Sequence, residues 1–172
     1  SENLALVITV GLVIAIASNR GFCGAFNSNI IKQSKSLKSD NRFSSANFDF
    51  IVMGKKINDI LIKTEKITQN NSDIFDDLSY EKTSKIIDKI IDDFENEKYD
   101  HVEIIYNSFK NAANQIIKSE QLLPIVDDSN SDSLENYIFE PSMEQIVSEL
   151  VPKSLKIQLF KENVSPVVWT FA

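Results

Sequence analysis

Residues 4–17 read LALVITVGLVIAIA, fourteen positions without a charge. A membrane-spanning helix needs about 20 apolar residues, and a run this short belongs more often to a buried core. Val7, Ile8, Thr9, Val10, Val13, Ile14 and Ile16 are β-branched, which favours a strand. A strand that is apolar on both faces fits the centre of a parallel sheet covered by helices. Fourteen residues is long for one strand, so Gly11 is read as a break and Leu12–Ala17 as the strand proper. The run follows Ser1-Glu2-Asn3 rather than a basic stretch, so it is not read as a signal peptide.

Outward from that strand, a loop covers Ser18–Asn27 and a short helix Ser28–Leu37, with Asn27 or Ser28 as N-cap. Phe48–Met53 is a second apolar strand ending at Gly54, and Lys55–Lys63 is a weaker helical pattern. In Tyr80–Lys98, Ile86, Ile87, Ile90, Ile91 and Phe94 mark one face of a helix, with Asp88, Lys89, Asp92, Asp93 and Glu95 on the other. His101–Tyr106 reads as a strand, Gln115–Pro124 contains another, and Tyr137–Phe139 is a short last one. Asp127–Glu135 is a polar loop. Ser142, with Gln145 three residues on, forms a capping box. It opens a helix whose apolar face is Ile146, Val147, Leu150 and Val151. Strands alternating with helices predict an α/β three-layer sandwich: a mostly parallel sheet flanked by helices, plus the start of a long C-terminal helix.

Composition narrows the chemistry. The 172 residues suffice for one domain, and 42% hydrophobic with 25% charged residues is ordinary globular usage. Acids outnumber bases 25 to 18, a net charge of -7, which argues against nucleic acid as a partner. A single cysteine, Cys23, excludes an internal disulfide, and a single histidine, His101, excludes a two-histidine metal centre. No metal or cofactor is expected. Cys23 lies beyond the end of the first strand and His101 before a later one. In parallel strands they stand roughly 15–20 Å apart, too far for proton transfer, and His101 is expected to face solvent. Asp128, Asn130 and Asp132 begin a calcium-loop spacing, but Ser133 and Phe139 occupy the positions that need glycine and glutamate. Asp92-Asp93 reads as a solvated helix face. Gly21-x-x-Gly24 lacks the spacing of a dinucleotide fingerprint, and no catalytic constellation emerges.

The loop Ser18-Asn19-Arg20-Gly21-Phe22-Cys23-Gly24-Ala25-Phe26-Asn27, running on to Ile30, resembles the stretch that opens the central domain of the gamma subunit of F-type ATP synthase. FIVMGKK at 50–56, VEIIYNSF at 102–109, QLLP at 121–124 and YIFEPSMEQIVSELVPKSLKIQLF at 137–160 are similar to later blocks of that family, in the same order. The resemblance implies a central-stalk rotor component that couples proton flow to ATP synthesis by rotation and holds no catalytic site. Its implied partners are the alpha and beta subunits of the catalytic head, the epsilon subunit and the c-subunit ring. Membrane association is through the complex alone, at the cytoplasmic face of a bacterial inner membrane.

The resemblance divides the chain into a central α/β domain over 12–140 and the start of a shaft helix over 141–161. Residues 1–11 and 162–172 depart from the family pattern, so both ends are expected to be foreign to the subunit, through truncation or a frameshift, and the chain to lack its coiled-coil shaft. The residues carried over are the loop members Asn19, Arg20, Gly21, Cys23, Gly24, Phe26 and Asn27. Beside them stand the helix-start residues Ser142, Gln145, Ile146, Val147, Leu150 and Val151. The competing reading is a free-standing α/β domain that binds a small anionic ligand or nucleotide at the Gly21–Asn29 loop.

Overall fold

A computed structural model describes residues 10–17, 25–43, 46–76, 80–111 and 114–124. Strand β1 (Val10–Ile16) leads to helix α1 (Phe26–Ser36), β2 (Asn47–Met53), α2 (Lys55–Leu61), β3 (Lys66–Asn70), α3 (Tyr80–Glu95), β4 (His101–Asn111) and β5 (Asn114–Leu123). The five strands form one sheet in the order β3-β2-β1-β4-β5. The first four run parallel and β5 closes the edge antiparallel to β4. The expected α/β fold with a mostly parallel sheet is the one found.

β1 is central because it is apolar on both faces. Val13, Ile14, Ala15 and Ile16 are 0% exposed, which requires cover on each side of the sheet. Helices α1 and α2 pack against each other. The connection from β3 then crosses to the far side of β1, and right-handed crossovers place α3 on the opposite face. Ile86, Ile87 and Ile90 of α3 are buried, while Lys82, Lys85, Asp88 and Asp92 are exposed, as the 3.6-residue pattern predicts.

Gly11 does not break the strand. It lies inside β1, paired with Phe48 and His101, and its missing side chain makes room for the Phe48 ring. Helix α1 begins at Phe26, two residues earlier than expected. Neither Asn27 nor Ser28 is its N-cap: Ala25 holds that position without a side-chain bond, and Ser28 Oγ instead donates back to the Ala25 carbonyl at 3.1 Å. Helix α3 stops at Glu95 rather than Lys98. Glu97 turns to φ 60°, and Lys98 N–H donates to the Asp93 carbonyl at 2.9 Å, a Schellman-type end. β3 escapes the sequence reading because KITQN is short and mostly polar, an edge strand with one half-buried isoleucine. The expected strand at 137–139 and the helix opening at Ser142 lie outside the described residues.

Candidate functional site

Open parallel sheets bind ligands beyond the carboxyl ends of neighbouring strands whose connections leave in opposite directions. Here that crevice lies between β1 and β4. Asn19, Arg20, Gly21, Cys23 and Gly24, which follow β1, lie outside the described residues. Ile16 and Ala17 are buried, and Ala17 N–H donates to the Met53 carbonyl at 2.8 Å. Asn107, on β4, is buried and engaged. Phe26 and Asn27 form the first turn of α1, Asn27 half-buried and engaged. No acidic residue occupies that turn. Of the shaft-helix residues, Ser142, Gln145, Ile146, Val147, Leu150 and Val151 all lie outside the described residues.

At the carboxyl ends of β2 and β3 the buried Ser72 hydroxyl accepts the Gly54 N–H at 2.9 Å, and a buried acid–histidine pair lies toward the opposite, amino end of the strands. His101, expected at the surface, is buried: it and Glu103 are each 1% exposed. Two residues apart on β4, they share a face of the sheet, and a hydrogen bond of 2.6 Å joins His101 Nε2 and Glu103 Oε2. Glu103 Oε1 accepts the Ser119 hydroxyl of β5 at 2.8 Å. The imidazole also meets the Phe43 ring edge-on at 4.8 Å, and the Arg42 guanidinium lies 4.7 Å over Phe43. Hydrogen bonds from Arg42 hold the Asp40 carboxyl below its ordinary range. Nearby, Asp100 accepts the Val10 N–H at 3.0 Å and returns its own N–H to the Val10 carbonyl, tying the starts of β1 and β4 together.

A second buried polar group centres on Asp49 of β2. The Tyr99 hydroxyl donates to its Oδ2 at 3.0 Å, and Lys66 Nζ approaches Oδ1 at 3.0 Å. Burial and then the hydrogen bond to Asp49 push the Tyr99 phenol above its ordinary value. Both groups pair donors with acceptors across neighbouring strands, Glu103 of β4 with Ser119 of β5 and Asp49 of β2 with Lys66 of β3, which holds the strands together. The sequence reading passed over both. The spacing of His101 and Glu103, two apart in a strand, is the signal that could have found the first.

Among the described residues no group of three or more His, Cys, Asp or Glu side chains is placed to hold a metal ion, and no helix is long and apolar enough to cross a membrane. Asp92 is exposed, whereas Asp93 is half-buried and paired with Lys89 at 3.1 Å, so only the first is a purely solvated acid.

The class defined is an α/β domain with a doubly wound sheet whose described polar clusters bind strand to strand. Comparison with known proteins then identifies the family. The family model described as ATP synthase matches residues 5–165. The chain is 51% identical over 151 residues to an ATP synthase gamma chain of Christiangramia forsetii, and 48% identical over 152 residues to that of Flavobacterium johnsoniae. Each alignment covers 87% of this chain and 52% of the relative. The chain belongs to the ATP synthase gamma-chain family, and it spans about half the length of the relatives it matches. Its fold is also similar to a chain in the central stalk and c-ring of the Tetrahymena thermophila mitochondrial ATP synthase. There the TM-score is 0.64 at 22% identity, over 94% of this chain and 72% of that one. A chain of the Euglena gracilis rotor gives 0.56 at 19%, over 94% and 61%.

Proposed function

We propose that this chain is the globular part of a central-stalk gamma subunit, which transmits torque between proton flow and ATP synthesis and performs no chemistry itself. The observation that carries the reading is the family match over residues 5–165, which takes in the whole described sheet. The packing suits the task. Four consecutive residues of β1 are wholly buried between two parallel neighbours, and such interiors deform little under load.

In this reading the alpha and beta subunits, the epsilon subunit and the c-subunit ring are the partners, and the protein is held at the cytoplasmic face of a bacterial inner membrane through them. Residues 12–140 form the domain. The shaft helix starts at Ser142, and Ile146, Val147, Leu150 and Val151 pack it against the domain. The loop from Asn19 to Asn27 is a structural turn.

The test is a chimera in which residues 12–160 replace the matching part of the Christiangramia forsetii gamma chain, assembled with its own partner subunits. The expected result is ATP-driven proton pumping in membrane vesicles. A chimera that is incorporated and supports ATP hydrolysis but no pumping overturns the coupling role.

A further inference from the structure

β5 reads NQIIKSEQLL, with its apolar residues in the adjacent pairs Ile116-Ile117 and Leu122-Leu123 around four polar ones. An adjacent pair offers one apolar side chain to each face, so apolar burial alone scarcely distinguishes this strand from one displaced by a single residue. Ile116 is exposed, Ile117 and Leu122 are half-buried, and Leu123 is buried. The ladder to β4 is irregular at two places, between Val102 and Glu103 and between Phe109 and Asn111. Hydrophobic patterning therefore leaves the register of this edge hairpin weakly determined.

We infer that Glu103, held by His101 and bonded across the ladder by Ser119, is the lock that sets the β4–β5 register. A buried carboxylate stripped of its hydrogen bonds is strongly disfavoured, and Glu103 spends one oxygen on each partner. His101 is itself fixed against the buried Phe43 ring, so the acceptor cannot turn freely to follow a shifted strand. Displacement by one residue in one direction brings Glu120 to the place of Ser119 and sets two carboxylates against each other. Displacement in the other direction brings Lys118, whose long side chain must fit where a hydroxymethyl group sits. Either way Tyr106 loses its present partner, since its hydroxyl donates to Glu120 Oε2 at 3.1 Å. Buried polar contacts of this kind select one arrangement among several of similar apolar burial.

The test replaces all three polar groups in the whole chain, as His101→Phe, Glu103→Leu and Ser119→Ala, so that no orphaned charge remains. The expected result is a folded protein with two sets of cross-strand NOEs, one joining residues 105 and 119 and one displaced by a residue. The β5 amides should exchange about tenfold faster or more, with α3 amides unchanged. A single native set of NOEs overturns the inference even if β5 exchange accelerates, because that is the mark of lost stability alone. Should the triple variant not fold, Ser119→Ala by itself decides. Saturation-transfer NMR then finds a displaced minor register, removed again by Ser119→Thr, and absence of that register overturns the lock.

Discussion

A Cβ placed on Gly11 would fall against the ring edge of Phe48, 2.6 Å from Cδ1. The two residues are register partners on β1 and β2, and the ring fills the space that a side chain would need. Phe48 in turn meets Phe43 edge-on at 5.4 Å. Gly11→Ala should therefore cost about 1–3 kcal/mol, the usual range for overpacking a core. Urea unfolding checks this. Combining the change with Phe48→Leu should cost less than the sum of the two single substitutions, because the clash disappears; strict additivity would show that the ring is not what excludes the methyl group.

The end of α3 offers a stabilising change. Glu97 holds φ 60°, a conformation disfavoured for residues with a Cβ. Glu97→Gly should raise stability by roughly 0.5–1 kcal/mol, since glycine adopts this geometry without strain. Asn96→Gly, one residue earlier, should lower it. A thermal melt of both variants separates the two cases, and equal shifts would contradict the capping geometry.

Alkaline stability should depend on Tyr99. Its phenol is raised in the folded state, first by burial and then by the bond to Asp49. The unfolded chain releases that proton at a pH of about 10 while the folded protein keeps it. The stabilisation is thus complete below pH ~10 and is lost as pH rises toward the folded value, at about 1.4 kcal/mol per pH unit. Tyr99→Phe should lower stability at neutral pH by ~1 kcal/mol and flatten the decline above pH ~10 by one proton's slope. Unfolding midpoints at pH 9, 10 and 11 test this; parallel curves for the two proteins would refute it.

Two isoleucines should respond in opposite ways. Ile87 is 2% exposed on the inner face of α3, and Ile87→Ala should cost about 2–5 kcal/mol. Ile62, at the end of α2, is 58% exposed, and Ile62→Ala should stay within about 0.5 kcal/mol. Comparable losses at both positions would mean that Ile62 is covered in solution.

Gly54 shows how far local sequence carries. It ends β2 at φ 135°, which a side chain rarely tolerates, and its N–H donates to the buried Ser72 Oγ at 2.9 Å. The glycine is visible in the sequence as a strand terminator. Its partner, eighteen residues away, is not.

The amino-acid sequence by itself determined the apolar runs of β1 and β2, the amphipathic face of α3 and the α/β class, because these are periodic patterns in which each residue is read from its near neighbours. It also carried the family, through the ordered blocks from Ser18 to Phe160. Only the tertiary structure decided that Gly11 belongs inside a strand, that KITQN pairs at an edge, and that His101 is buried against Glu103 and Phe43. Each of those depends on a partner distant in the chain, Phe48 for Gly11, Phe50 and Ile51 for β3, Phe43 and Ser119 for the buried pair. Burial of a polar side chain is affordable only when such partners arrive together, and no local pattern records their arrival.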